Sequence, residues 1–445
     1  MGADLMSIAK SGAAASRAAL DLTAQNIANA SSDGYVRRTL SVSELSANSG
    51  MAAPTALNLA GVRITGVTRN ADVFRQAEVR RTGADASRAS AEVKGLENIE
   101  SAVEQTGVYD SIVAFEASLQ QLVSDPTDGS LRAAVLEQGR TMAQTFNVAA
   151  SSLDAVGDGL RFEARDGADE VNRIAGELAR VNLRLARASD ASSDQTTLLD
   201  QRDSLLEQIS KYANVTTVYN QDQTVSVTIG GTAGQTLVSG GTAATLGMTE
   251  AADGTISFTL DDNPASISSG ALAGQSQALV QLADTRTQLD GLARNIVDVV
   301  NAAQANGVDL DGNAGQPLFA GTDAASMAMA AANGNAIATA PAGAAANSRD
   351  GSNLGALRSA LDAADPAGAM DTLLFTISSA VAGRTVTRDA LQSIASTAKV
   401  ALQAQAGVDL DEEAVSLVRY QQAFQANGRV MQVAGDIFDA ILGIR

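Results

Sequence analysis

The C-terminal stretch carries Leu417, Tyr420, Phe424, Asn427, Met431, Ala434, Phe438 and Ile441 in strictly alternating steps of 3 and 4 residues. That spacing predicts one seam along a helix of roughly 37 Å, at ~1.5 Å per residue. Asp409 and Glu412 stand where a capping box would start it. The N-terminus repeats the device with smaller side chains: Leu5, Ile8, Gly12, Ala15, Ala19 and Leu22 fall on one helical stripe. Ser31-Ser32-Asp33-Gly34 should stop that helix near Asn29. Spacing alone leaves two readings open, an amphipathic helix packed on its own domain or a seam between assembling helices.

Between the ends, Ile112, Phe115, Leu119 and Leu122 make one stripe, stopped by Asp125-Pro126. Leu131 to Phe146 makes another and Ile174 to Leu185 a third, with a shorter helix over 198–209. Leu282 to Val299 and Leu391 to Ala401 continue the pattern, which together predicts an elongated helical bundle. The period becomes two at Val225, Val227 and Ile229, and again at Ile256, Phe258 and Leu260, so residues 214–268 read as an inserted β domain. Val62 and Ile64 suggest one more strand, and 320–350 have no clear period.

Composition removes most chemistry. The chain has 445 residues and a net charge of -19, which disfavours nucleic acid and anionic membrane surfaces. It has no Cys, no His and no Trp. Disulfides, thiolate nucleophiles, Cys-ligated zinc and Ser-His-Asp catalysis are therefore excluded. The start does not read as a secretory signal, and no apolar run approaches the ~20 residues needed to span a bilayer. Asp309-Leu310-Asp311-Gly312-Asn313 opens like a calcium loop, but Ala314 and Ala320 replace its required Gly and Glu. Ser7-x-x-Lys10 and Ser396-x-x-Lys399 lack the companion elements of penicillin-binding enzymes. The reading is no enzyme, no cofactor and no metal. A carboxylate-only glycosidase and a surface adhesin on a helical stalk are the alternatives of a different class.

Asn26-Ile27-Ala28-Asn29, a few small residues, then Gly34-Tyr35-Val36-Arg37 resembles the N-terminal signature of flagellar axial proteins. At the other end, Asp411-Glu412-Glu413, followed by Tyr420-Gln421-Gln422, is similar to the C-terminal signature of the hook-associated protein 1 family. Gly61 to Arg80, Gly234 to Gly240 and Gly270 to Gly321 agree with the same family. Rod and hook subunits share the Tyr-Gln core but usually lack the acidic lead, which makes another axial subunit the nearest rival. The chain departs from the family at Ser32-Asp33, where Thr-Pro is common, and in having no His before Asn306.

The resemblance implies a secreted structural subunit at the hook–filament junction, exported by the flagellar type III apparatus without a cleaved signal. It implies a ring of copies, neighbours in the hook protein and the next hook-associated protein, and an export chaperone on the helix from Leu417 to Ile441. The expected fold is mainly α with inserted β. Residues 1–45 with 405–445 would pair as a terminal coiled coil, 46–213 with 269–404 would form the helical bundle, and 214–268 the outer β domain. Isolated helices of this length are marginal in water, so both ends are expected to order on assembly.

Overall fold

The computed structural model describes residues 2–32, 34–46, 59–188, 190, 192–231 and 234–442, without the side chains of 2–4, 46, 59–60 and 441–442. Helices dominate and the sheets are small and antiparallel, so the fold is mainly α with inserted β. The chain divides into two compact units. The first comprises 1–84, 170–245 and 392–445, and the second 85–169 and 246–391.

The first unit begins with α1 (Gly2–Asn29), then β1 (Arg38–Ser46) and β2 (Leu59–Arg69), which pair as an antiparallel hairpin. It takes the start of α2 (Val73–Glu104), the end of α4 (Gly129–Leu185) and all of α5 (Ser193–Tyr212). A four-stranded sheet follows, in order β3 (Val215–Tyr219), β4 (Val225–Ile229), β5 (Gln235–Ser239) and β6 (Thr242–Ala243). Val225, Val227 and Ile229 are buried on one face, as their alternation requires. The buried Asn182 of α4 fixes this sheet, because its amide donates to the carbonyls of Val225 and Gly240 and accepts from Val225 N–H. The end of α8 (Pro366–Ala406) and α9 (Leu410–Leu442) complete the unit.

The second unit holds the rest of α2, α3 (Val108–Leu122), the first part of α4, α6 (Ala271–Ala305), α7 (Ser352–Ala364) and most of α8. It also holds a three-stranded sheet of β7 (Leu246–Glu250), β8 (Ile256–Leu260) and β9 (Asn263–Ala265). Residues 214–268 thus form two sheets, one in each unit. Phe115, Leu119, Met142, Phe146, Leu289 and Ile296 are buried in the core of the second unit. Phe115 meets Phe319 edge to face, with ring centroids 5.6 Å apart.

The stripes of Leu131–Phe146 and Ile174–Leu185 lie on one helix of 57 residues, which contains no proline and runs unbroken through Gly157-Asp158-Gly159 and Asp166-Gly167. α2 buries Val93, Leu96, Ile99 and Val103 and comes close to α6 through a glycine. A Cβ at Gly95 would come within 2.4 Å of the Ala278 Cβ of α6, so only glycine permits that approach. Residues 307–347 hold only two-residue antiparallel pairs, Gly307–Val308 with Ala340–Pro341 and Phe319–Ala320 with Ala328–Met329, and fold around Arg132, which is 1% exposed. Its guanidinium donates to the carbonyls of Pro126, Gly334 and Ile337 and to Thr339 Oγ1, at 2.6 to 3.0 Å. Burial pushes its pKa down, with Asp309 and Asp311 opposing. Asp309 itself closes a turn, accepting from Asp311 N–H and Asn313 N–H.

Candidate assembly site

α1 and α9 pack on each other, and the β1–β2 hairpin lies against α1. Gly12 sets the closeness of the two helices. A Cβ there would come within 2.7 Å of Asn427 Oδ1, so the two seam positions face each other. Of the remaining seam, Ala19, Leu22 and Ala434 are buried, while Ile8, Ala15, Leu417, Tyr420 and Met431 are half-buried. Leu5, Phe424 and Phe438 are exposed, and the Ile441 side chain lies outside the described residues. The buried face of α1 also takes in Ala9, Ala13, Ser16, Thr23 and Asn26, one position along from the seam read in sequence.

The signature residues form a joint at the end of α1. Gly34 takes φ 77°, which turns the chain after the helix. Asn26, 2% exposed, then stitches helix to strand: its amide donates to Arg38 O at 2.9 Å, and its Oδ1 accepts from Arg38 N–H. Tyr35 OH donates to the same Oδ1 at 2.9 Å. Burial raises the Tyr35 pKa further than the neighbouring Arg38 lowers it. Asn29 closes the last turn on Gln25 O, while Ile27 is half-buried and Ala28 exposed.

Arg37 joins this end of the chain to the other. Its N–H donates to Ala406 O, and its Nε donates to Glu413 Oε1 at 2.6 Å. Glu413 is 2% exposed, and Glu412 adds a longer contact of 3.7 Å. The hydrogen bond to Glu413 raises the Arg37 pKa. Asp409 caps α9 by accepting from Asp411 and Glu412 N–H, whereas the Glu412 side chain turns to Arg37. Asp411, Gln421 and Gln422 are exposed. Beside this joint, Arg38 and Arg69 hold Asp200, and Arg69 and Arg202 hold Asp203, all at 2.7 to 2.8 Å. None of the Arg37–Glu413 or Arg38–Asp200 pairing is legible as a local motif. Its sequence signal is only that both signatures carry opposite charges.

α9 has a second face that the seam does not use. Val415, Val418 and Val433 on its far side, and Val430 and Ile437 flanking the seam, are exposed, Val415 by 70% and Val433 by 56%. The cavity bounded by Asn26, Arg37, Glu413 and Tyr420 is about 60 Å³, far below what a small-molecule site encloses. A larger cleft of about 420 Å³ in the second unit contains Arg161 and Arg286, each already paired with carboxylates. Among the described residues no carboxylate cluster is placed to hold a metal, and no helix is long and apolar enough to cross a membrane.

The model of the flagellar hook-associated protein FlgK helical domain matches residues 93–319, and that of the flagellar basal body rod FlgEFG protein C-terminal matches 403–444. Flagellar hook-associated protein 1 of Bacillus subtilis is 29% identical over 307 residues, covering 67% of this chain and 56% of that protein. The Salmonella typhimurium protein of the same name is 28% identical, over 71% of this chain and 59% of its own length. The flagellar hook junction protein FlgK from Burkholderia pseudomallei shares the fold, with TM-score 0.50 and 24% identity over 55% of this chain and 46% of that one. The chain thus spans less than two thirds of the length of these relatives. The helical-domain model alone covers more than half of the chain, and the chain belongs to the flagellar hook-associated protein 1 family.

Proposed function

We propose that the chain is a structural subunit, not an enzyme, at the junction between the flagellar hook and filament. Copies assemble through α1 and α9 into a ring, after type III export, between the hook protein and the next hook-associated protein. The observation that carries this reading is the double-sided α9. A helix apolar on two opposite faces is stable when both are covered. α1 covers one, and Val415, Val418 and Val433 offer the other to a neighbour. Before export, a chaperone would take the same helix, from Leu417 to Ile441, whose apolar residues are free until it docks.

The C-terminal match to rod proteins keeps a second axial position in view, since that segment is shared. Electron microscopy of cells lacking the gene, with flagellin assayed in the medium, separates the two. Hooks without filaments and free flagellin outside the cell are expected. Missing hooks would move the protein inward to a rod or hook role, and normal filaments would overturn the reading. Val418→Asp with Val433→Asp should reproduce the deletion while the secreted chain remains folded, because both side chains are exposed in the lone subunit.

A further inference from the structure

Arg80 of α2 stands apart from the arginines of the joint. It is 7% exposed, yet its guanidinium meets only Thr217 Oγ1 and Tyr219 OH, both at 3.3 Å and both through Nη2. Among the described residues its Nε and Nη1 have no partner, and no carboxylate lies within ion-pair reach. A guanidinium carries five N–H donors, and holding it out of water without a counter-charge costs free energy that an anion would recover. Arg80 borders a cavity of about 120 Å³ that lies wholly within the first unit. The segment after α1, the first turns of α2, α5 and the end of α8 line it.

Two more groups on this cavity lack partners of the opposite kind. The Glu207 side chain of α5 is half-buried and has neither a hydrogen bond nor an ion pair among the described residues. Gln76, also 7% exposed, donates to Asp203 Oδ2 at 3.0 Å, which leaves its Oε1 an acceptor without a donor. Asp203 and Lys399, the other charged residues of the lining, already interact within the protein. Val36, Val79 and Leu402 supply apolar wall. A plain anion would be drawn to Arg80 but repelled by Glu207, and a plain cation would meet the reverse. A molecule carrying both charges on an apolar body satisfies every unmet group. We propose that this cavity binds an aliphatic α-amino acid as its zwitterion, with the carboxylate on Arg80 and the ammonium toward Glu207 and Gln76 Oε1. The volume is near the ~150 Å³ of an apolar cavity that accepts one benzene, which suits a side chain of valine or leucine size.

The full chain, labelled with carbon-13 at its valine methyls, is titrated with unlabelled L-valine near neutral pH and followed by NMR. The methyls of Val36, Val79 and Val408, all on the lining, should shift saturably. A dissociation constant on the order of 1 mM is expected of so small a ligand. Valinamide lacks the carboxylate and N-acetylvaline lacks the ammonium, so each should bind at least about tenfold more weakly. Arg80→Met should abolish the valine response. Glu207→Gln, whose side chain holds nothing else in place, should weaken it by at least about fivefold while the other methyl signals keep their positions. Equal binding of the three probes would show a merely apolar cavity, and no saturable shift at these methyls with valine or leucine would show one that holds only water. Either result overturns the proposal. If Arg80→Met fails to fold, Glu207→Gln decides, and undiminished valine binding by that variant overturns it as well.

Discussion

The unit that carries both chain ends holds 19 Lys and Arg against 20 Asp and Glu, whereas the other holds 12 against 30. The two also hold their most buried arginines differently. In the first unit Arg37, Arg38, Arg69 and Arg202 meet carboxylates at the joint between the two signatures. In the second, the most buried arginine, Arg132, meets only carbonyls and a threonine hydroxyl, and the excess carboxylates are left to solvent. The acidity read from composition is thus a property of one unit. The near-neutral unit is the one whose helices can approach those of identical neighbours without long-range repulsion.

The sharpest way to break this comparison is to remove one arginine from each unit. Arg132→Met should cost the second unit about 4 kcal/mol, because several buried carbonyls lose their donor at ~1–3 kcal/mol each. Arg37→Ala should cost the first unit about 3 kcal/mol by leaving the buried Glu413 carboxylate unpaired. Glu413→Gln keeps a polar partner and should cost only about 1 kcal/mol. Denaturant titrations with one reporter tryptophan placed in each unit read these losses, the chain having none of its own. Equal responses of both reporters to either substitution would show that the units do not unfold separately.

Acid should act with opposite sign on two carboxyls, Asp203 of the first unit and Glu116 of the second. Burial pushes the Asp203 pKa up, but Arg202 and Arg69 outweigh it and hold the carboxyl below its usual value. Its contribution is therefore fully present above about pH 3.9, the unfolded value, and is lost as pH falls through the lowered folded one. In the second unit, burial raises the Glu116 pKa, and Asp365 and Asp362 add to the rise. The folded state then binds the proton more readily, so stability falls as pH rises through the window between the unfolded and the raised folded value. Mild acidification from neutrality should strengthen the Glu116 contribution to the second unit and that of Asp200, whose pKa burial also raises, to the first, whereas stronger acid should remove the Asp203 contribution. Asp203→Asn should flatten the acid limb of the first unit, and Glu116→Gln the milder slope of the second. A first unit unaffected by acid below pH 3.9 would remove the role given to Asp203.

Much of the fold was legible where packing follows a period. The stripe at Ile112–Leu122, the strands at Val225 and Ile256, and the turn after Asn29 all appear where spacing placed them. What was not legible depends on partners distant in sequence. α2 buries Val93, Leu96, Ile99 and Val103 at helical spacing, but its close approach to α6 at Gly95 depends on Ala278, 183 residues away. Arg37 and Glu413 are 376 residues apart and meet only because α1 and α9 do. The open face of α9 was missed for a related reason: a second stripe on a helix already assigned one looks like scatter until burial separates them. Periodicity shows that a helix has a face, whereas only the structure shows which faces remain uncovered.

The smallest effect tests the register of the terminal pair. Gly12→Ala gains about 1 kcal/mol of helix propensity. It also drives a methyl toward Asn427 Oδ1, whose amide donates to Ala423 O. The obstructing atom is the far end of a side chain that can move, so the two terms nearly cancel and the single variant should lie within about 1 kcal/mol of the parent. Asn427→Ala alone should be equally mild, since its hydrogen bond is local to α9. The double variant removes the obstruction and keeps the propensity gain, so it should exceed the sum of the singles by about 0.5–1 kcal/mol. That coupling exists only if positions 12 and 427 face each other in solution. Strict additivity would mean that α1 and α9 pair in another register or not at all in the lone subunit. The first unit would then owe its stability to the joint at Arg37 and to the sheet, and the helices would find their register only against neighbouring copies.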